Sequence, residues 1–154
     1  MEFEDLYQEI ILDHYKKPHN FGVIAGSCTT VEHENPVCGD QIKLFVKING
    51  KEIVEDIKFR GAGCAISMAS ASMMTEELIG KSKKEGAKII ENVIHALRNE
   101  KNPDVLDEYG DLAALKGVIK FPVRVKCATL AWHAMQDLLY QGKMNQITKN
   151  EIIK

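Results

Sequence analysis

Three cysteines and one aspartate have the side-chain types needed for a thiolate-rich metal site. Cys38 and Asp40 belong to the turn-forming stretch NPVCGD. Cys64 follows the glycines of GAGC, and Cys127 lies near the start of a predicted helix. Three thiolates and a carboxylate suit tetrahedral zinc, and they also suit an iron–sulfur cluster. The gaps of 26 and 63 residues between the cysteines contain no CxxC pair. Spacing alone therefore leaves open that these are ordinary free thiols, which are often small buried hydrophobes.

The predicted positions of two cysteines favour thiolates. A thiol near a helix N-terminus faces free backbone N–H groups and the positive end of the helix dipole, and both lower its pKa. Cys64 and Cys127 are expected at such positions. Arg124 and Lys126 stand close to Cys127 in sequence and are candidates for supporting the site, although both could simply be solvated charges.

The elements that must position these side chains begin with three strands. Residues 28–33 are β-branched enough for a short strand, and Ile42–Ile48 alternate apolar and polar residues as a half-buried strand does. Asn49-Gly50 then predicts a hairpin turn, and Ile53–Phe59 the return strand. The sequence thus predicts a three-stranded antiparallel meander over residues 28–60.

Helices account for most of the remaining chain. They are predicted over residues 3–15, 64–80, 89–97 and 122–141. The polar, turn-rich segment 99–111 is predicted to be a solvated surface excursion, and the tail 142–154 to be mobile. Strands followed by helices indicate an α+β fold in which the helices pack on one face of the sheet.

Bulk composition excludes several classes of function. The 154 residues suit a single domain, and 45% hydrophobic with 27% charged residues is typical of a soluble protein. A net charge of -2 gives no basic excess for nucleic acid, and no polybasic run is present for a membrane surface. No apolar run reaches the roughly 18 residues of a membrane span. We expect a cytoplasmic protein whose four cysteines are thiols, ligands or catalytic groups rather than disulfides.

Four stretches resemble the U-type iron–sulfur cluster assembly proteins, the family of IscU and the NifU N-terminal domain. They are LYQEIILDHYKKPHNFG at 6–22, NPVCGD at 35–40, GAGCAISMASASMM at 61–74 and KCATLAWHAM at 126–135. The resemblance covers most of the chain and implies a SufE/NifU-like fold, an antiparallel sheet with helices packed on it. It also implies a part in iron–sulfur cluster biogenesis, with persulfide sulfur supplied by a pyridoxal-phosphate-dependent cysteine desulfurase.

Two departures from the scaffold class of that family resemble its SufU-type branch. The scaffold class has a histidine directly before the last motif cysteine, whereas this chain has Lys126. The stretch between Cys64 and Cys127 is also longer than in that class, with an insert around residues 99–120. The resemblance therefore implies a zinc-dependent sulfurtransferase that works with a SufS-type desulfurase and supplies downstream iron–sulfur assembly machinery.

Site residues carry over from the family by position. The motif cysteines fall on Cys38, Cys64 and Cys127, and the motif aspartate falls on Asp40. The resemblance implies that these four residues hold Zn2+. Cys38 is the expected persulfide acceptor, because its turn can move more easily than the helices that carry the other two cysteines. Cys28 matches no motif and is interpreted as an ordinary strand cysteine.

Three functions stay open. The first is the zinc-dependent sulfur acceptor and carrier. The second is a scaffold on which a transient 2Fe–2S cluster is assembled, against which Lys126 argues. The third is a binding module in which structural zinc supports regulation of a desulfurase. A stand-alone thiol enzyme is disfavoured, since the motifs contain no Cys–His pairing, and His14 is expected only to pack or to form hydrogen bonds.

Overall fold

A three-stranded antiparallel sheet forms one layer of the protein. The computed structural model describes residues 8–36 and 39–152, with side chains up to residue 140. The strands are β1 (Thr29–Asn35), β2 (Asp40–Ile48) and β3 (Val54–Ala62), in the order β1-β2-β3. The predicted meander is thereby confirmed.

Six helices follow or precede the sheet in the part of the chain that the structure describes. The α-helices are α1 (Glu9–Lys16), α2 (Ala65–Leu78), α3 (Lys83–Leu97) and α4 (Pro122–Ile152), and the two 3₁₀ helices are Pro103–Glu108 and Gly110–Lys120.

One face of the sheet is covered by helices. Ile42, Leu44 and Val46 alternate along β2 and are buried, as are Ile57 and Phe59 on β3. This period of two places the apolar side chains on one face. Helix α2 packs against β3, and α4 packs against β1 and β2. The predicted α+β class, with helices on one face, is confirmed.

Helix α2 is the centre of the core. Its residues from Ile66 to Thr75 are all buried, because α1, α4 and β3 surround it. Small side chains such as Ser70 and Ala71 let the neighbouring helices approach closely. The small-residue composition of this helix predicted such packing, and the contacts with α1 and α4 agree.

The first helix presents a different face to the core than its apolar spacing predicts. Ile11 is buried, but Ile10 and Tyr15 are 41% and 45% exposed. The inward position one turn after Ile10 belongs instead to His14, which is 4% exposed and hydrogen-bonded. The predicted start of this helix at residue 3 lies outside the described residues.

The hairpin turn predicted at Asn49-Gly50 joins β2 to β3, and it is longer than two residues. Asn49 Oδ1 accepts hydrogen bonds from the backbone N–H groups of Lys51 and Ile53, at 2.9 and 3.1 Å. The left-handed conformation falls on Glu52, with φ of 61°, rather than on Gly50. The asparagine side chain therefore organises a longer turn.

The predicted surface excursion over residues 99–111 is confirmed except at Leu106, since its other residues are exposed or half-buried. Both 3₁₀ helices carry fully buried side chains, among them Leu106, Leu112, Leu115 and Val118. The segment is polar on average because only one side of each short helix meets the core. Too few of its residues are apolar for the sequence to show which side of each short helix is buried.

The last helix extends beyond its predicted end. Helix α4 continues to Ile152 rather than ending near Gln141, so most of the predicted mobile tail is helical in the structure. Residues 153–154 lie outside the described part. Within residues 8–36 and 39–152, no helix combines the length and apolar character needed to cross a bilayer.

Candidate metal centre

Asp40 lies at the start of β2, directly after the connection from β1. It is the first residue of β2 and pairs with Asn35 of β1. The N–H of Gly39 donates to the Asn35 carbonyl at 2.8 Å, and Gly39 has φ of +72°, a conformation that favours glycine. The Asp40 side chain is only 1% exposed, so the turn directs a carboxylate into the protein.

Cys64 occupies the N-cap position of α2. Its φ and ψ of -72° and 166° are extended, and its backbone N–H donates to Asp40 Oδ1 at 3.0 Å. The Ser67 hydroxyl donates to the Cys64 carbonyl at 3.1 Å and lies 3.8 Å from the Cys64 sulfur. A helix start thus fixes the thiol beside both a carboxylate and a hydroxyl.

Cys127 is fully buried in the first turns of α4, and Ser70 of α2 holds that part of α4 in place. The Ser70 hydroxyl donates to the Ala128 carbonyl at 2.6 Å and accepts the indole N–H of Trp132 at 2.9 Å. The two helices that carry the cysteines are therefore joined within one residue of Cys127.

The three side chains converge. The potential ligand atoms of Asp40, Cys64 and Cys127 lie within 4.8 Å of one another. Zinc bonds of about 2.0–2.3 Å place tetrahedral ligand atoms about 3.3–3.8 Å apart, which is compatible with this upper limit. Asp40 Oδ2 is buried and has no hydrogen-bond partner among the described residues. Since leaving such an oxygen unpaired is costly, the donor set fits a metal ligand at this position.

The environment of Cys64 favours its thiolate. A hydrogen bond from the Cys127 thiol, the largest influence, lowers the pKa of Cys64 from 9.0 to about 5. Burial and the Asp40 carboxylate oppose this change in pKa, and hydrogen bonds from Ser67 reinforce it. Thiolate is the form that binds zinc and attacks sulfur.

Gly63 is needed for the carboxylate and the α2 N-terminus to meet. A Cβ at this position would lie 2.5 Å from Asp40 Oδ1 and 2.7 Å from Ser67 Oγ. Any larger residue must therefore displace the candidate ligand. Sequence reasoning noted the glycines of GAGC, Gly63 among them, but not the contact of Gly63 with Asp40, and it missed Ser67 and Ser70. Proximity to Cys64 in sequence was the available signal for Ser67.

Residues 6–128 match the family model described as NifU-like N terminal domain. The chain belongs to this family.

Relatives of this NifU-like chain are named either as a sulfurtransferase or as cluster assembly scaffolds. The zinc-dependent sulfurtransferase SufU of Bacillus subtilis is 47% identical over 86% of this chain and 88% of its own. The iron–sulfur cluster assembly scaffold protein IscU of Streptococcus pyogenes is 40% identical over 97% of this chain and 92% of its own. A putative SUF-system scaffold from Fervidobacterium islandicum aligns with a TM-score of 0.78, 33% identity, and coverage of 88% and 98%.

The remaining predicted site residues of this NifU-like domain differ in status. Cys38 lies outside the described residues, between Pro36 and Gly39, so its place in the ligand set stays a prediction. Arg124 is half-buried and Lys126 is exposed in the first turns of α4, and their supporting roles also stay predictions. Cys28 is half-buried just before β1, away from the three converging side chains.

A surface groove lies beside the candidate centre of this NifU-like domain. It encloses about 400 Å³ between the end of β1 and the start of α4. Asn35 and Pro36 line one side, and Lys126 and Thr129 line the other. The groove thus borders both the residues that precede Cys38 and the residue that precedes Cys127.

Proposed function

We propose that this chain acts in iron–sulfur cluster biogenesis as a zinc-dependent acceptor and carrier of sulfur. The observation that carries this proposal is the convergence of Asp40, Cys64 and Cys127, together with a buried Asp40 oxygen that has no hydrogen-bond partner among the described residues. The similarity to the SufU relative, named a zinc-dependent sulfurtransferase, supports it. The proposed compartment is the cytoplasm, whose reducing poise keeps thiols available.

The proposed zinc ligands are Cys38, Asp40, Cys64 and Cys127. Chain connectivity keeps the Cα of Cys38 within about 7 Å of that of Asp40, close enough for both residues to serve one site. When bound, zinc would supply positive charge that keeps its cysteine ligands deprotonated at neutral pH. Arg124 and Lys126 would add positive potential at the start of α4 and favour an incoming anionic persulfide.

Cys38 is the proposed acceptor. Its thiolate attacks the outer sulfur of a persulfide on a pyridoxal-phosphate-dependent cysteine desulfurase of the SufS type. The new bond joins Cys38 Sγ to that sulfur, the donor's S–S bond breaks, and the donor cysteine leaves as a thiolate. One sulfur atom moves and no external oxidant or reductant is needed. A downstream component of the assembly machinery then takes the sulfur by the same exchange.

The groove beside the site is the proposed approach for the partner. Pro36, two residues before Cys38, lines one side of the groove, and Lys126, directly before Cys127, lines the other. A partner loop in this groove would therefore lie close to the proposed acceptor. A groove of about 400 Å³ has room for a short peptide segment. A partner loop bound there would bring the donor cysteine close to Cys38.

Desulfurase turnover tests the proposal. The measurement is the rate at which the cognate desulfurase forms alanine from cysteine, with reductant present, after addition of zinc-loaded or metal-free protein. We expect strong stimulation by the zinc-loaded form and its loss in Cys38→Ala. Cys28→Ala is the matched control, since Cys28 is a half-buried thiol outside the candidate centre, and it should stimulate like the wild type. Full stimulation by Cys38→Ala would refute the acceptor role.

A cluster scaffold is the second candidate. The IscU relative, named a scaffold, matches 97% of this chain, and thiolates with a carboxylate can also ligate iron. This function requires that the protein, supplied with iron and sulfide under anaerobic conditions, form a 2Fe–2S chromophore that it passes to an apo-ferredoxin. If only metal-free or iron-loaded protein accelerates the desulfurase, the scaffold replaces the carrier as the leading function.

A further inference from the structure

A second group of metal-binding side chains meets at the other end of α2. His14 comes from α1, His19 from the connector after it, Glu76 from the last turn of α2, and Asp111 from the second 3₁₀ helix. Glu76 Oε1 lies 2.9 Å from His19 Nδ1 and 3.7 Å from His14 Nε2. His14 Nε2 also lies 2.8 Å from Asp111 Oδ2. Four segments of the chain thus bring two imidazoles and two carboxylates together.

We propose that His14, His19, Glu76 and Asp111 form a second binding site for a divalent transition metal of the Zn2+ type. Two imidazoles and two carboxylates are a donor set that zinc accepts, and they differ chemically from the thiolates of the first site. The ligand atoms would be His14 Nε2, His19 Nδ1, Glu76 Oε1 and Asp111 Oδ2. The potential ligand atoms of the first three already lie within 4.8 Å of one another.

The observed separations are close to those of a tetrahedral site. Zinc bonds to nitrogen and oxygen of about 2.0–2.2 Å place neighbouring ligand atoms about 3.3–3.6 Å apart. The three measured separations, 2.8, 2.9 and 3.7 Å, lie on both sides of that range. These three pairs of atoms therefore need shifts of only about half an ångström to accept an ion. Asp111 is not part of the group of three within 4.8 Å, so its exposed carboxylate must rotate further to reach the ion.

Ser72 orients the buried imidazole for this role. Its hydroxyl lies 2.7 Å from His14 Nδ1 and accepts the backbone N–H of His19 at 2.8 Å. If a metal takes His14 Nε2, the imidazole proton must sit on Nδ1, where the Ser72 oxygen can accept it. A histidine ligand that donates its second ring N–H to a neighbouring group is the usual arrangement at metal sites.

One side chain of this group is buried, and the other three are partly exposed to solvent. His14 is 4% exposed, whereas His19, Glu76 and Asp111 are between 44% and 54% exposed. A cavity of about 210 Å³ adjoins the cluster and is lined in part by Glu76, Asp111 and Tyr109. An ion can therefore enter from solvent and displace water without opening the core.

The second site is independent of the thiolate centre. Cys64 caps the start of α2 and Glu76 lies near its end, so the helix separates them by about 18 Å at 1.5 Å per residue. A bound ion would join α1, the connector and the second 3₁₀ helix to α2. Metal binding at this place should therefore raise the thermal midpoint of unfolding.

Calorimetric titration of zinc-loaded protein with additional Zn2+ tests this proposal. Zinc content is measured beforehand, so the thiolate site is occupied before the titration. We expect one further equivalent to bind and the midpoint of unfolding to rise with it. His19→Gln and Glu76→Gln, both at partly exposed positions, should lose this equivalent and keep the first. Their folding is checked by circular dichroism.

His95→Gln is the control, because His95 also pairs with a carboxylate, that of Glu100 at 2.8 Å, but stands outside the cluster. It should keep both equivalents. Cys64→Ser should lose the thiolate-bound equivalent and keep the second one, which separates this proposal from the proposed function. Absence of a further equivalent in the wild type, or its survival in both His19→Gln and Glu76→Gln, would overturn the second site.

Discussion

The backbone N–H of Cys64 donates a 3.0 Å hydrogen bond to Asp40 Oδ1, and this bond joins the first residue of β2 to the N-cap of α2. One carboxylate oxygen is thereby committed to the fold. The other, Oδ2, has no hydrogen-bond partner among the described residues and is available to a metal. Oδ1 thus stabilises the fold and Oδ2 can bind a metal, and substitutions of Asp40 can distinguish these two roles.

Asp40→Asn should lower zinc retention far more than stability. The amide oxygen can still accept the Cys64 N–H, but the neutral side chain is a poor zinc ligand. We expect zinc affinity to fall by at least about tenfold, since even loss of an outer partner of a ligand costs about 10- to 100-fold. Competition with a chromophoric chelator measures the affinity.

Asp40→Ala completes this test. It also leaves the Cys64 N–H without its acceptor, which should cost a further ~1–3 kcal/mol in the free energy of unfolding. Zinc affinity equal to the wild type in both variants would exclude Asp40 as a ligand.

Gly63→Ala should disturb the centre by steric contact alone. The new Cβ would lie 2.5 Å from Asp40 Oδ1, so the carboxylate must move away from the N-cap of α2. We expect reduced zinc content per protein, measured by atomic emission after purification. Gly50→Ala is the matched control, because a Cβ there meets nothing within 4 Å and Gly50 lacks a positive φ. Equal zinc content in the two variants would contradict the tight packing around Gly63.

Ser70→Ala should destabilise the contact between α2 and α4. The buried Trp132 indole N–H loses its acceptor and the Ala128 carbonyl loses a donor. We expect a decrease of ~1–3 kcal/mol in the free energy of unfolding, from urea denaturation. Ser27→Ala, at an exposed position, should change it by less than about 0.5 kcal/mol. A Ser70→Ala protein as stable as Ser27→Ala would show that the buried bonds contribute little.

The sequence was informative where a pattern repeats and where residue types are rare. Alternation along Ile42–Ile48 predicted β2 correctly, and the glycines before Cys64 predicted the start of α2. All four candidate ligands were predicted from residue type and resemblance, and the structure brings three of them together, Asp40, Cys64 and Cys127.

Tertiary contacts explain what could not be predicted. His14 takes an inward position because Ser72 and Asp111, distant in sequence, satisfy both of its ring nitrogens. Leu106 is buried because its short 3₁₀ helix packs on α3, a contact that no local pattern encodes. In the β2–β3 turn, the Asn49 side chain outweighed the preference of Asn-Gly for a two-residue loop.

Thiol reactivity of the metal-free protein should follow the lowered pKa of Cys64, about 5. Above that pH Cys64 is a thiolate, so alkylation by iodoacetamide should be nearly independent of pH between 6 and 8 and should slow as pH falls through about 5. Because the pKa of Cys64 is lower in the folded protein than in the unfolded chain, this shift also stabilises the metal-free fold. The contribution is complete above the ordinary thiol pKa of 9.0, decreases as the pH falls, and is lost by about pH 5. Mass spectrometry of peptides, with Cys28 as the internal reference, measures the rates.

Replacing Cys127 tests the cause of that reactivity. The Cys127 thiol is the main group that lowers the pKa of Cys64, so Cys127→Ala should shift the alkylation profile of Cys64 to higher pH. Cys28→Ala should leave the profile unchanged. If Cys64 already requires pH near 9 for alkylation in the wild type, the hydrogen bond between the two thiols does not operate in solution.

Removal of zinc by a chelator should leave most of the fold intact. Asp40, Cys64 and Cys127 lie at or near the starts of β2, α2 and α4, whereas most of the core is built from other side chains, including the fully buried Phe59 and Trp132. Apolar burial of this kind does not depend on the metal. We expect the far-ultraviolet circular dichroism to change little and the midpoint of unfolding to fall by the linkage contribution of the lost ion. A structural-zinc module would instead unfold when zinc is removed, so loss of helical signal on chelation would favour the regulatory alternative over a sulfur carrier.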